Sequence, residues 1–169
     1  MDSLRYFKGQ YRGVAVVDAE SITEYALDEL HEAGVRGLRV NMGTSNNTDK
    51  IIATVKSYID IAKRREWVVQ LWVPLEAMVA LHPVIENSGV TFVLDDFGHT
   101  EVGSKTKNKA NTIDPYKSTG FHQVVDLMQR RLAFAKISAP FQNSKEEPFY
   151  EDMRVVAQSL MSAGPDMVV

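Results

Sequence analysis

The amino-acid sequence predicts an α/β fold in which about five to six parallel strands alternate with amphipathic helices. Short apolar runs recur at Gly13–Val17, Leu38–Met42, Trp67–Val73, Val90–Leu94 and Leu132–Ile137, with a stub at Met167–Val169. Segments of helical period fill the gaps between them. Strands separated by helices in this way pair in parallel through right-handed crossovers. Two architectures then compete, an open doubly wound sheet and part of a closed (β/α)8 barrel of the TIM type. No Gly-rich phosphate loop follows any strand, because Gly34-Val-Arg-Gly37 precedes one. This removes the usual nucleotide-binding reason for an open sheet.

Each element has a local cause. The first strand ends at Asp18. Ser21-Ile-Thr-Glu24 reads as a capping box, after which Ile22, Ala26, Leu30 and Ala33 share a helical face. Gly34 stands where a left-handed stop is wanted. Gly43–Thr48 is a polar loop. Asp49 opens a helix with Ile52, Val55, Ile59 and Ala62 in register, and Lys63, Arg64 and Arg65 suit its negative end. Pro74 fits the first position of a third helix reaching about Asn87, and Pro83 inside it predicts a kink or an early stop. Phe97–Thr119 is long and polar, a length that marks a functional or mobile loop. Phe121–Arg131 reads as a helix, and Gln142–Pro148 as a second polar loop. Phe149–Ala163 is a helix with Phe149, Met153, Val156 and Leu160 on one face, stopped by Gly164-Pro165.

Length and composition limit the functions. At 169 residues, with 44% apolar and 24% charged residues, a single domain over 1–169 is expected. The formal net charge of −3 comes with no basic stripe, which argues against nucleic-acid binding. With no cysteine there is no disulfide, thiolate metal site or cysteine nucleophile. Met1–Tyr11 lacks an apolar signal region, and no run of about 18 apolar residues occurs. A soluble cytoplasmic protein without membrane contact is the expectation.

In open sheets and barrels alike, chemistry sits beyond the carboxyl ends of the strands. The successive strands deliver Asp18, then Arg39 and Asn41, then Gln70 and Trp72, then Asp95 and Asp96 with His99 beyond, then Lys136 and Ser138. Polar residues two apart share a face of a strand. Inside apolar strands they would be costly to bury singly, but converging on one mouth they can satisfy each other and a ligand. Arg39 and Lys136 become cations facing Asp95 or Asp96, which suits a small anionic ligand such as a carboxylate. They could equally be ion pairs of the sheet interior, with Asp95 a structural partner and Trp72 a packed rim aromatic. His31, His82 and His122 fall on helices as surface or edge residues. His99 alone is placed to act. No His-x-His or His-Glu-x-x-His motif occurs, so neither a metal nor another cofactor is expected.

One ordered set of motifs carries a resemblance. Gly34-Val-Arg-Gly-Leu-Arg-Val-Asn41, Val69-Gln-Leu-Trp-Val-Pro74, Phe92-Val-Leu-Asp-Asp-Phe-Gly98, Gly120-Phe121, Ala135-Lys-Ile-Ser-Ala-Pro-Phe141 and Pro165-Asp-Met-Val-Val169 follow one another. From about Gly13 onward the chain resembles the amidohydrolase-related family that includes 2-pyrone-4,6-dicarboxylate lactonase, within the wider group of metal-dependent hydrolases. The resemblance implies a distorted (β/α)8 barrel that hydrolyses a small lactone or related carboxylate with an activated water. It implies that Arg39 binds a substrate carboxylate, that Trp72 lines the pocket, and that Lys136 and Ser138 form the sixth-strand Lys-x-Ser.

The chain also departs from that pattern. Nothing before Gly13 supplies the family's opening His-x-His pair, and its late Trp-Gly-x-Asp segment lies beyond Val169. Asp95-Asp96 stands for an Asp-His pair, Ser45 lies near a family arginine, and Pro140-Phe-Gln142 replaces Pro-Tyr-Arg. An incomplete barrel lacking its first and last strands is therefore expected, with unpaired sheet edges open to self-association. Three functions follow: a lactone hydrolase with Arg39, Asn41, Trp72, Lys136 and Ser138 binding substrate and Asp96 and His99 as acid and base; a non-catalytic remnant; or a binding module for small acids.

Overall fold

A computed structural model describes residues 2–7, 9–102 and 113–169. After a short helix α1 (Asp2–Tyr6), strand β1 (Gly13–Ala15) leads to α2 (Glu24–Glu32), β2 (Val35–Asn41) and α3 (Thr48–Arg65). Then come β3 (Val68–Trp72), α4 (Met78–Glu86), β4 (Phe92–Leu94), a helical turn α5 (Asp96–His99), α6 (Phe121–Gln129), β5 (Ala133–Ala135) and α7 (Arg154–Ala163). The five strands form one sheet in the order β1-β2-β3-β4-β5, each pair parallel. This matches the α/β reading and resolves its open alternative. A doubly wound sheet reverses its strand order at a switch point. Here the order never reverses, so the sheet winds in one direction as part of a barrel does, and it is not closed. A sixth strand begins at Val168, which bridges Ala135 in parallel.

The register explains how the sheet is covered. Leu38, Val69, Phe92 and Ala133 lie side by side, as do Val40, Leu71, Leu94 and Ala135 one pleat further on. All eight are buried, under a shell in which α3 packs on α4, α4 on α6 and α6 on α7. The alternate residues, Arg39, Gln70, Val93 and Phe134, form the opposite face and are only half-buried. At β1, Val14 pairs with Gly37 on that face and is 46% exposed, and Val16 just beyond is 64% exposed. One face is thus the core, and the other is open.

Several local expectations are corrected. The capping box at Ser21 does not form: the Ser21 hydroxyl donates to Asp18, and Thr23 caps α2 by accepting from the Ala26 amide at 3.2 Å. Glu24 reaches Arg64 and Arg65 instead of turning back. Helix α3 starts one residue before Asp49, because the Asn47 side chain caps it. Pro74 precedes a 3-10 turn, Leu75–Ala77, and α4 continues through Pro83 to Glu86 without stopping. Phe149 leaves the apolar face assigned to it and is 81% exposed, while Met153, Val156 and Leu160 are buried as expected. The reason is that α7 begins only at Arg154, after a 3-10 turn over Glu151–Met153. The middle of the long Phe97–Thr119 loop, residues 103–112, lies outside the described residues. No described helix is long and apolar enough to cross a membrane.

Candidate functional site

The candidate site is built where the ladder runs past the ends of β3, β4 and β5. The Asp95 amide donates to Leu71 O at 2.9 Å and the Lys136 amide to Leu94 O at 2.8 Å. These bonds carry the pleat one residue beyond β4 and β5, so Asp95 and Lys136 join the row begun by Asn41 and Trp72.

Asp95 is the centre of the site. It is 2% exposed, and its carboxylate takes Arg39 Nε at 2.8 Å, Lys136 Nζ at 3.0 Å and Gln70 Nε2 at 2.7 and 2.8 Å. An isolated buried carboxylate would be strongly disfavoured, whereas this one is paired and hydrogen-bonded on both oxygens. Arg39 and Lys136 remain 32% and 36% exposed. Two cations share one carboxylate, so Arg39, Lys136 and Asp95 together carry one net positive charge on the open face, with the Asp96 carboxylate at the same end of the sheet.

Trp72 stands above this cluster. The Arg39 guanidinium lies 6.0 Å from its ring centre, and the His99 imidazole stacks on it at 5.4 Å with 16° between planes. The indole can lie where it does because residue 43 is glycine. A Cβ there would stand 2.6 Å from ring carbons of Trp72. Asn41 pairs with Trp72 in register and is exposed at the rim, its side chain without a hydrogen-bond partner among the described residues.

Asp96 and His99 are presented by an unusual backbone. Asp96, Phe97, Gly98 and His99 all have positive φ, at 50°, 58°, 66° and 57°. This makes α5 a turn of left-handed helix in which three of the four residues carry a side chain. Each such residue costs about 1–2 kcal/mol, so the conformation persists only if its surroundings impose it. They do so through bonds on every side. The Phe97 amide donates to Lys136 O at 2.8 Å, the Thr100 hydroxyl to Phe97 O at 2.7 Å, and Asn143 Nδ2 to Asp96 O at 2.8 Å. The Phe97 ring is buried. The consequence is that Asp96, adjacent to Asp95, points elsewhere and accepts from the Ser138 hydroxyl at 2.8 Å.

His99 Nδ1 lies 3.0 Å from Val73 O. A carbonyl only accepts, so Nδ1 carries a proton, and in the neutral form of the ring the lone pair is on Nε2. The other histidines stand on the helical side: His31 accepts from Trp67 Nε1, His82 pairs with Asp126 at 2.6 Å, and His122 is exposed beside Tyr116. The His82 contact, with help from Arg130, holds the Asp126 carboxyl below the ordinary carboxylate range. Asp18, at the end of the first apolar run, is exposed and turned to its own loop. The Ser21 hydroxyl and the Glu20 amide hold its carboxyl below the ordinary range.

All the predicted strand-end residues except Asp18 therefore gather at one end of the sheet. Gly43 and Asn143 had no signal in the sequence beyond their place in polar loops. Among the described residues no group of three or more histidines or carboxylates stands ready to hold a metal ion. Asp95, the buried carboxylate of the site, already has its oxygens taken by two cations and an amide. Among the described residues, the side chains at this site do not form a set that fits a metal ion.

Comparison with known proteins agrees with this fold. The chain is similar to a Pseudomonas putida structure described as a 2-pyrone-4,6-dicarboxylic acid hydrolase, at 20% identity over 99% of this chain and 58% of that one, with a TM-score of 0.77. An Acinetobacter baumannii structure of the same description, with citric acid bound, aligns at 16% identity over 99% of this chain and 59% of that one, TM-score 0.73. An Agrobacterium tumefaciens protein in its apo form aligns at 16% identity over 98% and 56%, TM-score 0.72. At these identities the likeness is one of fold, and the chain spans between 56% and 59% of the length of those proteins. The sequence also matches the family described as Amidohydrolase across residues 1–169. A parallel sheet wound in one direction, polar groups gathered at its carboxyl end and a match over the full length together place this chain in the amidohydrolase family.

Proposed function

We propose that the mouth of the sheet binds a small carboxylate-bearing cyclic ester and contributes acid and base groups to its hydrolysis. The observation that carries this reading is the uneven pairing at Asp95, where Arg39 and Lys136 share one buried carboxylate and both stand on the open face. The residual positive charge suits a carboxylate of the ligand. Arg39 offers its remaining N–H donors in a planar fork, the geometry that recognises a carboxylate bidentately. Trp72 gives the pocket an apolar wall, and Asn41 and Ser138 offer neutral hydrogen bonds at its rim.

In the hydrolysis, a water attacks the ester carbonyl and gives its proton to a base. The acyl–oxygen bond then breaks, and the departing alkoxide or enolate oxygen receives a proton, leaving a ring-opened acid. His99 is the candidate base, because its Nε2 lone pair is free and its orientation is held by Val73 O and the Trp72 face. Asp96, held by Ser138, is the second acid/base group. The neighbours described as 2-pyrone-4,6-dicarboxylic acid hydrolases make that lactone the first substrate to try.

The test is a panel of lactones that includes 2-pyrone-4,6-dicarboxylate, read for ring opening by the folded chain. Turnover that falls at least about 100-fold in His99→Gln and in Asp96→Asn supports the reading, since general acid–base groups contribute about 10²–10⁴. No turnover across the panel by a chain with an intact melt removes hydrolysis by this chain alone.

A second reading, a binding module for small acids, is favoured by the citric acid bound to the Acinetobacter baumannii neighbour. It expects citrate to raise the melting temperature, and Arg39→Ala to abolish that rise, with no chemistry. Self-association through the open edges at β1 and Val168 is a separate proposal, checked by sedimentation across a range of protein concentrations.

A further inference from the structure

We infer that Asn143 is a positioning residue: its side-chain amide locks the left-handed turn α5 and thereby sets the tautomer and orientation of His99 and the direction of Asp96. The inference deepens the proposed function and rests on it for its catalytic meaning, though the geometry stands without a substrate. Asn143 is 3% exposed and lies in the loop after β5, 47 residues along the chain from the Asp96 carbonyl it grips. Its Nδ2 donates to Asp96 O at 2.8 Å. The backbone that carries it is pinned as well. The Asn143 amide donates to Pro140 O at 3.0 Å, and its carbonyl accepts from the Val102 amide at 2.9 Å. The next residue, Ser144, is 7% exposed and donates to Asp152 at 2.7 Å, which braces the loop against the turn that leads into α7.

The direction of the amide is not free. Turned over, it would set its oxygen against the Asp96 carbonyl, two acceptors in contact. In the orientation present, Asn143 Oδ1 is buried without a hydrogen-bond partner among the described residues. A buried polar atom left unpaired is unfavourable, and an apolar side chain of similar size would avoid it. The position therefore tolerates a local penalty to keep one bond, the bond to the carbonyl that opens the left-handed turn.

What the bond controls follows from the chain. Asp96 O belongs to the first of the four successive residues at positive φ. Releasing it lets Asp96 and Phe97 relax toward ordinary φ, which swings His99 away from Val73 O and off the Trp72 ring. The Nδ1–H tautomer is then no longer imposed.

The experiment uses the full chain and ring ¹⁵N NMR of its histidines, with His99→Gln to assign the signals. In the unaltered chain His99 is expected to show Nδ1 protonated and Nε2 bare when neutral. In Asn143→Leu, which keeps the branched heavy-atom shape and removes the donor, the two nitrogens should move at least halfway toward the averaged values of a free imidazole, while the His31 and His82 signals stay. An unchanged His99 pattern in folded Asn143→Leu overturns the inference. Should that variant fail to fold, hydrogen exchange of the Asn143 side-chain amide in the unaltered chain decides. Exchange slowed at least 10-fold against a free primary amide is expected, and exchange at the free rate overturns the inference. Neither readout involves substrate, so absence of lactone turnover leaves this result intact, and a failure here leaves carboxylate binding by Arg39 to be judged separately.

Discussion

The two faces of the sheet come from the same strands and obey opposite rules. On the helix side, Leu38, Val40, Val69, Leu71, Phe92, Leu94, Ala133 and Ala135 interlock with the helices and have at most 2% of their surface exposed. On the other side, Arg39, Gln70, Trp72, Asp95 and Lys136 are tied by charge and hydrogen bonds, and every one except Asp95 keeps partial access to solvent. Apolar burial scales with area and has no direction, so it suits the face whose task is to hold the sheet. Ion pairs and hydrogen bonds have direction and can be exchanged for those of a ligand, so they suit the face proposed to meet one. On that proposal, stability and recognition are separated residue by residue along each strand.

That separation makes its strongest demand at Phe92, whose side chain is fully buried on the helix side. Phe92→Ala should destabilise the chain by about 3–5 kcal/mol in a urea melt and leave citrate affinity per folded molecule unchanged. A loss under about 1 kcal/mol would mean that this face is not the core. On the open face, Gly43→Ala must push the Trp72 indole aside, because the new Cβ would meet ring carbons at 2.6 Å. The expected loss is about 1–3 kcal/mol, with a changed Trp72 emission measured in a Trp67→Phe background. Unchanged emission would show that Gly43 does not seat the ring.

Asp95→Asn should destabilise by about 1–3 kcal/mol, no more than the core substitution, because Arg39 and Lys136 can turn their charges to water. It should also change the response to citrate, which Phe92→Ala should not. The smallest effect belongs to the helical shell. Asp126 is held below its ordinary range by His82, so its contribution is present above about pH 4 and is lost as the pH falls through its depressed value. The side chain is 46% exposed, and Asp126→Asn should flatten the acid limb of the melting curve by under about 1 kcal/mol. An acid limb identical to that of the unaltered chain would remove this pair from the account.

Much of this plan was legible because side-chain direction in a strand alternates with a period of two. Arg39 with Asn41, and Gln70 with Trp72, could be assigned to a shared face before any contact was known. The convergence of Arg39 and Lys136 on a neighbouring aspartate was legible for the same reason, but which aspartate was not. Asp95 continues the pleat and turns inward, while Asp96 enters a left-handed turn, and nothing in the local propensities of Asp-Asp-Phe-Gly-His asks three side-chain-bearing residues to adopt that conformation. Helix starts were misplaced by one or two residues where two capping side chains compete, as Ser21 and Thr23 do. Phe149 falls outside the helix, which begins at Arg154, because a helical period alone does not mark where a helix starts.

Local pattern was enough for the order of strands and helices, for the apolar face of most elements, and for the polar residues, Asp18 excepted, that meet at one end of the sheet. These depend on spacing along a few residues, which any stretch of chain carries with it. Only the assembled fold brings Arg39 to Asp95 across 56 residues of sequence, sets Asn143 against Asp96 and turns the backbone of Asp96–His99 left-handed. Such contacts depend on strand register and on where loops land. A strained turn holds only when bonds from distant segments outweigh the local preference against it.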